Sequence, residues 1–139
     1  MTATRIEDDF IASFDDKRLR IFSSGSMEKA SEHEVEGVVR SLAVMDGQTI
    51  LAGGESQFVE LVDRRAQHLV GKFNMHCDCV SLSKMYPTTF IANLGNCLKL
   101  YEFRMQKELI KINLDSSIKH LEVLSSLSFV TSGKQLAYY

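Results

Sequence analysis

The chain is short of several things, and each shortage excludes something. One proline, Pro87, and no low-complexity tract interrupt its 139 residues, so neither a linker nor a second domain is expected. Three cysteines are an odd number without framework spacing, which reads as reduced thiols in an intracellular protein, cytoplasmic or nuclear. No run of eighteen apolar residues occurs, so nothing is expected to span or bind a membrane. The opening MTATRIEDDF has no basic segment followed by an apolar core, and no secretory signal is read there. A net charge of −2 and a pI near 6.1 leave no basic excess for coating phosphates, so no nucleic acid partner is expected.

Motifs for chemistry are missing too. No Gly-x-Ser-x-Gly elbow occurs, and Ala52-Gly53-Gly54 lacks the Lys-Ser/Thr ending of a phosphate loop. His76-Cys77-Asp78-Cys79 suggests a metal at first sight. Its Cys-x-Cys spacing is wrong for a structural zinc pair, no second pair follows, and only Cys97 and His120 are nearby candidates. Cys79 also falls in register with the apolar Val39, where cysteine behaves as a small buried hydrophobe. His33, His68, His76 and His120 share no context that would make one of them a catalytic base. The expectation is a protein that is not an enzyme, with no metal and no cofactor.

What the chain does have is a repeat. Phe90 to Arg104 reads as two short strands joined by the turn Leu94-Gly95-Asn96. Ile11-Ala12-Ser13, Leu51-Ala52-Gly53, Ile91-Ala92-Asn93 and Val130-Thr131-Ser132 hold one shared place, at offsets of 40, 40 and 39 residues. Leu19, Val59, Leu98 and Leu136 repeat in the next strand, as do Ile21, Leu61, Leu100 and Tyr138. A strand-borne period near forty predicts an all-β fold, a β-propeller whose blades are antiparallel four-stranded sheets. A generic β-sandwich predicts no fixed period.

The blades are expected at about 1–36, 37–77, 78–116 and 117–139, in one partial propeller of about three and a half blades. The chain reads as opening part-way through a blade, supplying three, four, four and three strands. Blades bury their faces only against neighbours. The expectation is therefore the N-terminal part of a longer propeller, or a half-ring completed by another chain, with the former preferred.

On these residues the chain resembles a divergent WD-repeat protein. Where that family ends its third strand with Trp-Asp, this chain has Phe22-Ser23, Val62-Asp63 and Tyr101-Glu102, and it contains no tryptophan at all. The family places a buried histidine near the position of His76, where the resemblance implies a structural hydrogen bond. It also implies a non-catalytic protein–protein interaction scaffold that binds through loops between strands. The turns Asp15–Lys17, Gly53–Gln57 and Leu94–Asn96 and the acidic stretch Glu28–Glu36 are candidates for such contacts. Arg64-Arg65 is similar to the arginine pair of headgroup-binding propellers, but Asp63 precedes it and no glycine follows.

Tyr101-Glu102-Phe103-Arg104 resembles the Trp-Asp-x-Arg element of substrate receptors that dock on the damaged-DNA-binding adaptor of cullin–RING ubiquitin ligases. Val62-Asp63-Arg64-Arg65 is a second copy. The resemblance makes Tyr101, Glu102, Arg104, Asp63 and Arg65 the protein-binding candidates, with Arg104 the exposed contact. The partners expected are other proteins, with a second propeller half or a ubiquitin-ligase adaptor among the options.

Overall fold

The computed structural model describes residues 1–66, 69–114, 118–125, 128–133 and 136–138, with side chains up to Leu114 except that of Leu69. His68, named above, lies outside the described residues, as does the side chain of His120. The described residues form strands and turns arranged in four sheets.

The first sheet comprises β1 (Thr2–Ile6), β2 (Asp9–Ser13), β3 (Arg18–Ser23) and β4 (Lys29–Glu34). The second comprises β5 (Val39–Val44), β6 (Thr49–Gly54), β7 (Phe58–Asp63) and β8 (Leu69–Asn74). In the third are β9 (Ser81–Tyr86), β10 (Thr89–Asn93), β11 (Cys97–Glu102) and β12 (Lys107–Asn113). The fourth holds β13 (Ile118–Ser125), β14 (Ser128–Gly133) and β15 (Leu136–Tyr138). Every sheet is a meander, with strands paired antiparallel in chain order.

One expectation is corrected. The chain does not open part-way through a blade: Thr2–Ile6 pairs with β2 from Thr2↔Ser13 to Ile6↔Asp9, so the sheets hold four, four, four and three strands. TATRI buries only Ile6 fully, which leaves too little apolar alternation for a strand to show in the sequence.

The first strands of successive sheets, β1, β5, β9 and β13, lie against one another, and later strands step outwards from them. Sheets then stack face to face as blades. Blade 1 turns Ile11, Leu19 and Ile21 towards Ile50, Ala52 and Val62 of blade 2 in one apolar cluster. Blade 2 turns Leu51, Val59, Leu61 and Phe73 towards Phe90, Ala92 and Tyr101 of blade 3 in another. Period-2 alternation along each strand therefore serves two neighbours at once. In β7, Val59 and Leu61 join the blade 3 cluster while Val62 joins that of blade 1.

The forty-residue period is written into the backbone as well. Val35 N–H donates to Lys17 O at 3.0 Å, Met75 N–H to Gln57 O at 2.7 Å, and Leu114 N–H to Asn96 O at 3.0 Å. A register shift falls after Ile21 in blade 1, after Leu61 in blade 2 and after Leu100 in blade 3, always between third and fourth strands. A bulge at that point adds local twist, which the stacked blades share.

Candidate protein-interaction surface

In an antiparallel meander, the turns after first strands and after third strands emerge at the same end. That rim carries Asp46-Gly47-Gln48, Asp63–Ala66, Pro87-Thr88 and Phe103–Gln106. In blades 2 and 3 one backbone bond ties the two turns together: Arg64 N–H donates to Gln48 O at 2.9 Å, and Phe103 N–H to Thr88 O at 3.0 Å.

The acidic residues that end the third strands build these turns. Asp63 accepts from the backbone N–H of Arg65 at 2.9 Å, and from its guanidinium at 3.2 and 3.1 Å. The Arg65 side chain is thus the main reason the Asp63 carboxyl sits below its ordinary range. One blade on, a Glu102 carboxylate oxygen accepts the N–H of Met105. Arg104 then stands exposed with its guanidinium 5.8 Å from the centre of the Phe103 ring, and Met105 beside it is 73% exposed.

The two turns share an electrostatic neighbour, Asp46. Partial burial pushes its carboxyl up, but the N–H groups of Gln48 and Thr49, each at 2.8 Å, and the charge of Arg104 outweigh that and hold it low. Asp46 also contributes to the raised pKa of Arg65, although Asp63 is the larger cause. Arg64 points away from this group and pairs with Glu7 at 3.2 Å and Asp9 at 3.5 Å in blade 1. Glu7 reaches it past Gly47, where a Cβ would stand 2.2 Å from the Glu7 carboxylate and push that side chain aside.

Of the five residues singled out in the sequence, the structure brings Asp63, Arg65, Glu102 and Arg104 to one rim. Tyr101 lies beneath it. Its ring stacks on Phe90 at 5.6 Å and meets the edge of Phe73 at 5.7 Å, and burial, then the Glu108 charge, pushes its hydroxyl up to about 12. Its side chain is buried under the turn.

The other candidate turns lie at the opposite rim, except that Gly53 and Gly54 end strand β6, and most of the acidic stretch is strand β4. There Asp15–Lys17, Glu55–Gln57 and Leu94–Asn96 emerge after the second strands. Their charges are largely spent on one another: Arg40 pairs with Glu55 and with Asp15 at 3.8 Å, and Arg20 with Asp16. In the acidic stretch, Glu32 and Glu34 pair with Arg18 at 3.4 and 3.5 Å, and Glu36 with Lys72 at 3.1 Å. Such exposed pairs are screened by water and contribute little to stability, and they leave a nearly neutral surface.

Cys77 is exposed, whereas Cys79 and Cys97 are buried. Burial pushes the Cys79 thiol up to about 12, and it donates weakly to Ser81 O at 3.4 Å. Among the described residues, no three His, Cys, Asp or Glu side chains converge as metal ligands would. His76 is a correction: it is exposed at a positive φ of 62°, and its backbone N–H donates to Asn74 Oδ1 at 2.9 Å. The expected buried imidazole is not there.

Among the described side chains the buried histidine is His33, 4% exposed, with neither ring nitrogen hydrogen-bonded. A buried carboxylate was also missed. Glu60 accepts the N–H of Glu36 at 3.0 and 3.2 Å, and burial raises its pKa. Aligning the repeats by ladder position would have found both, because each occupies a slot that other blades fill differently.

No protein-family model matches the chain, and no curated protein matches it in sequence. Among solved structures it superposes on that of U3-55K with a TM-score of 0.84 at 13% identity, over 99% of this chain and 50% of that one. The chain thus spans about half the length of that protein. At such low identity the likeness shows the fold alone, and the fold is that of a β-propeller.

Proposed function

We propose that the chain is a non-catalytic, WD-repeat-type scaffold, cytoplasmic or nuclear, that docks partner proteins on the rim carrying Arg65, Arg104 and Met105. The observation that carries this reading is the exposed Arg104–Met105 pair, held at the surface by the Glu102 carboxylate. An exposed guanidinium next to an exposed thioether suits an interface core, where arginine and methionine are enriched. Crosslinking followed by mass spectrometry on the wild-type chain, an Arg104→Glu variant and an Arg18→Glu variant tests it. Partners should be lost with Arg104→Glu and kept with Arg18→Glu. The reverse pattern, or partners kept by both, would refute it.

A narrower reading, a substrate receptor of a cullin–RING ubiquitin ligase, is favoured by one specific feature. Arg104 is exposed immediately after a third strand, where the resemblance requires its contact. Purified adaptor should then bind the chain and lose at least about tenfold in affinity, about 1.4 kcal/mol, with Arg104→Ala. Unchanged binding, or none by the wild type, removes this reading and leaves the general one standing.

A further inference from the structure

We propose that the junction between blades 2 and 3 binds a doubly charged oxyanion of the phosphate type, held by Lys99, Lys111 and the linker residue His76. The inference is independent of the rim described above.

The ladder registers identify the site. Arg20, Glu60 and Lys99 hold one slot in successive blades, opposite Ala12, Ala52 and Ala92. On their other side the outer strand sets Glu32 opposite Arg20, Lys72 opposite Glu60, and Lys111 opposite Lys99. The first two pairs join opposite charges. The third sets two cations side by side, which is destabilising across strands. Lys99 is also enclosed, at 9% exposed, and alternates with Leu98 and Leu100 so as to share the side of Cys97 and Tyr101 that faces blade 2.

The linkers show what is missing. Val35 and Met75 make the same turn bond, to Lys17 O and Gln57 O, so Glu36 and His76 hold one place in successive linkers. Glu36 completes the junction between blades 1 and 2: its carboxylate pairs with Lys72 at 3.1 Å, and its N–H donates to Glu60 at 3.0 Å. His76 brings no carboxylate to the next junction, and its own N–H is taken by Asn74 Oδ1 at 2.9 Å. All three positions that carry acids or their partners in the earlier junction are thus basic here. Arg20 in blade 1 meets Glu32 at 3.0 Å; among the described side chains no carboxylate comes within ion-pairing distance of Lys99 or Lys111. Asp78, further along the linker, is exposed and pairs with neither.

Both ammonium groups lie within electrostatic reach of the linker. Partial burial and the neighbouring Cys97 push the Cys77 thiol up, with a smaller push from Asp78, while the charges of Lys99 and Lys111 pull it down. Two opposed cations call for two negative charges. A chloride would leave one unanswered, whereas a dianion with several acceptor oxygens can take charge-assisted hydrogen bonds from both lysines and a third from the exposed His76 ring. Enclosure of Lys99 strengthens that attraction, and the exposure of Lys111 on β12 leaves the site open to solvent.

Titration calorimetry with inorganic phosphate tests this, at roughly pH 8, where phosphate is mostly a dianion, with ionic strength held constant by chloride. Circular dichroism reports folding. The wild type should bind one phosphate per chain, and Lys99→Met and Lys111→Met should each weaken it by at least about tenfold. Lys107→Met, on the same strand but opposite Glu102, should leave binding unchanged. Lys111 is exposed, so its variant keeps the test decisive should Lys99→Met fail to fold. A wild type that binds no phosphate overturns the proposal. So does binding that Lys111→Met leaves intact, or that Lys107→Met weakens as much.

Discussion

Replacing His33 with isoleucine should stabilise the protein, because the histidine sits in a slot built for a hydrocarbon. His33 lies opposite Leu19. Phe73 holds the equivalent place opposite Val59, and Ile112 opposite Leu98. In the unfolded chain both imidazole nitrogens bond to water; in the folded one neither finds a partner. An unsatisfied buried polar group costs about 1–3 kcal/mol, and removing it while keeping the volume recovers much of that. Isoleucine is close in size and suits a strand, so repacking should cost under about 1.5 kcal/mol. A net gain of about 1–2 kcal/mol is expected, or roughly 3–10 °C in Tm for a chain of this length.

The pH dependence sharpens the test. Burial lowers the His33 pKa below its ordinary 6.5, so the native state binds fewer protons than the unfolded state in the window beneath that value. Wild-type stability therefore drops as pH falls through 6.5 towards the folded pKa, and the isoleucine variant lacks this loss. Glu60 works in the opposite sense. Its raised pKa makes the native state bind more protons above 4.5, so its contribution improves as pH falls towards that value. Comparing variant with wild type at each pH cancels Glu60. Thermal unfolding followed by circular dichroism near pH 7.5 and pH 5 should show a variant that is more stable at both, with the larger gap at the lower pH. A less stable variant, or a gap that does not widen in acid, would refute the reasoning.

Phe90→Ala removes the ring between Phe73 and Tyr101 and should cost about 3–5 kcal/mol in urea unfolding, whereas Phe22→Ala on the half-buried face should cost much less. Equal losses would mean that blades 2 and 3 do not share the packed interface described here. Alkylation under native conditions should modify Cys77 alone, and slowly, since burial raises its pKa too; unfolding should expose all three thiols, as counted by mass spectrometry. Modification of Cys79 in the native protein would contradict its burial.

The period was legible because it sits on residues that must be apolar: Ile11 and Leu51, and the third-strand positions opposite them, face a neighbouring blade, and Ile91 holds the same slot in an apolar cluster of blade 3. The strand Thr89–Asn93 starts one residue before the stretch read from Phe90, and the turn Leu94–Asn96 follows it as expected. What escaped was held by other means. β1 is carried by its ladder with β2 rather than by burial. His33 hid in a polar outer strand, KASEHE, because one buried position among six leaves no periodic signal. At the rim, the acidic ends of the third strands were legible as Asp63 and Glu102, but nothing in the sequence says that Arg65 folds back on Asp63 while Arg104 stays exposed on Phe103. That depends on which acceptor each turn leaves free.

The slot shared by Arg20, Glu60 and Lys99 explains how such a fold survives without signature residues. A charge between blades ought to be a liability, yet the slot takes either sign. Arg20 solves it with two carboxylates, and Glu60 with a backbone N–H from Glu36 in the connection between blades. Those partners come from different places in the chain, so no shared motif arises. The features common to the first three blades are the meander, the bulge before the fourth strand and the recurring turn bonds from Val35, Met75 and Leu114, all made by backbone groups that any residue but proline supplies. Selection on that framework requires apolar character at alternate positions and little else. A propeller can therefore form with Phe-Ser, Val-Asp and Tyr-Glu at the ends of its third strands, and identity to a solved propeller can be 13% while the TM-score is 0.84.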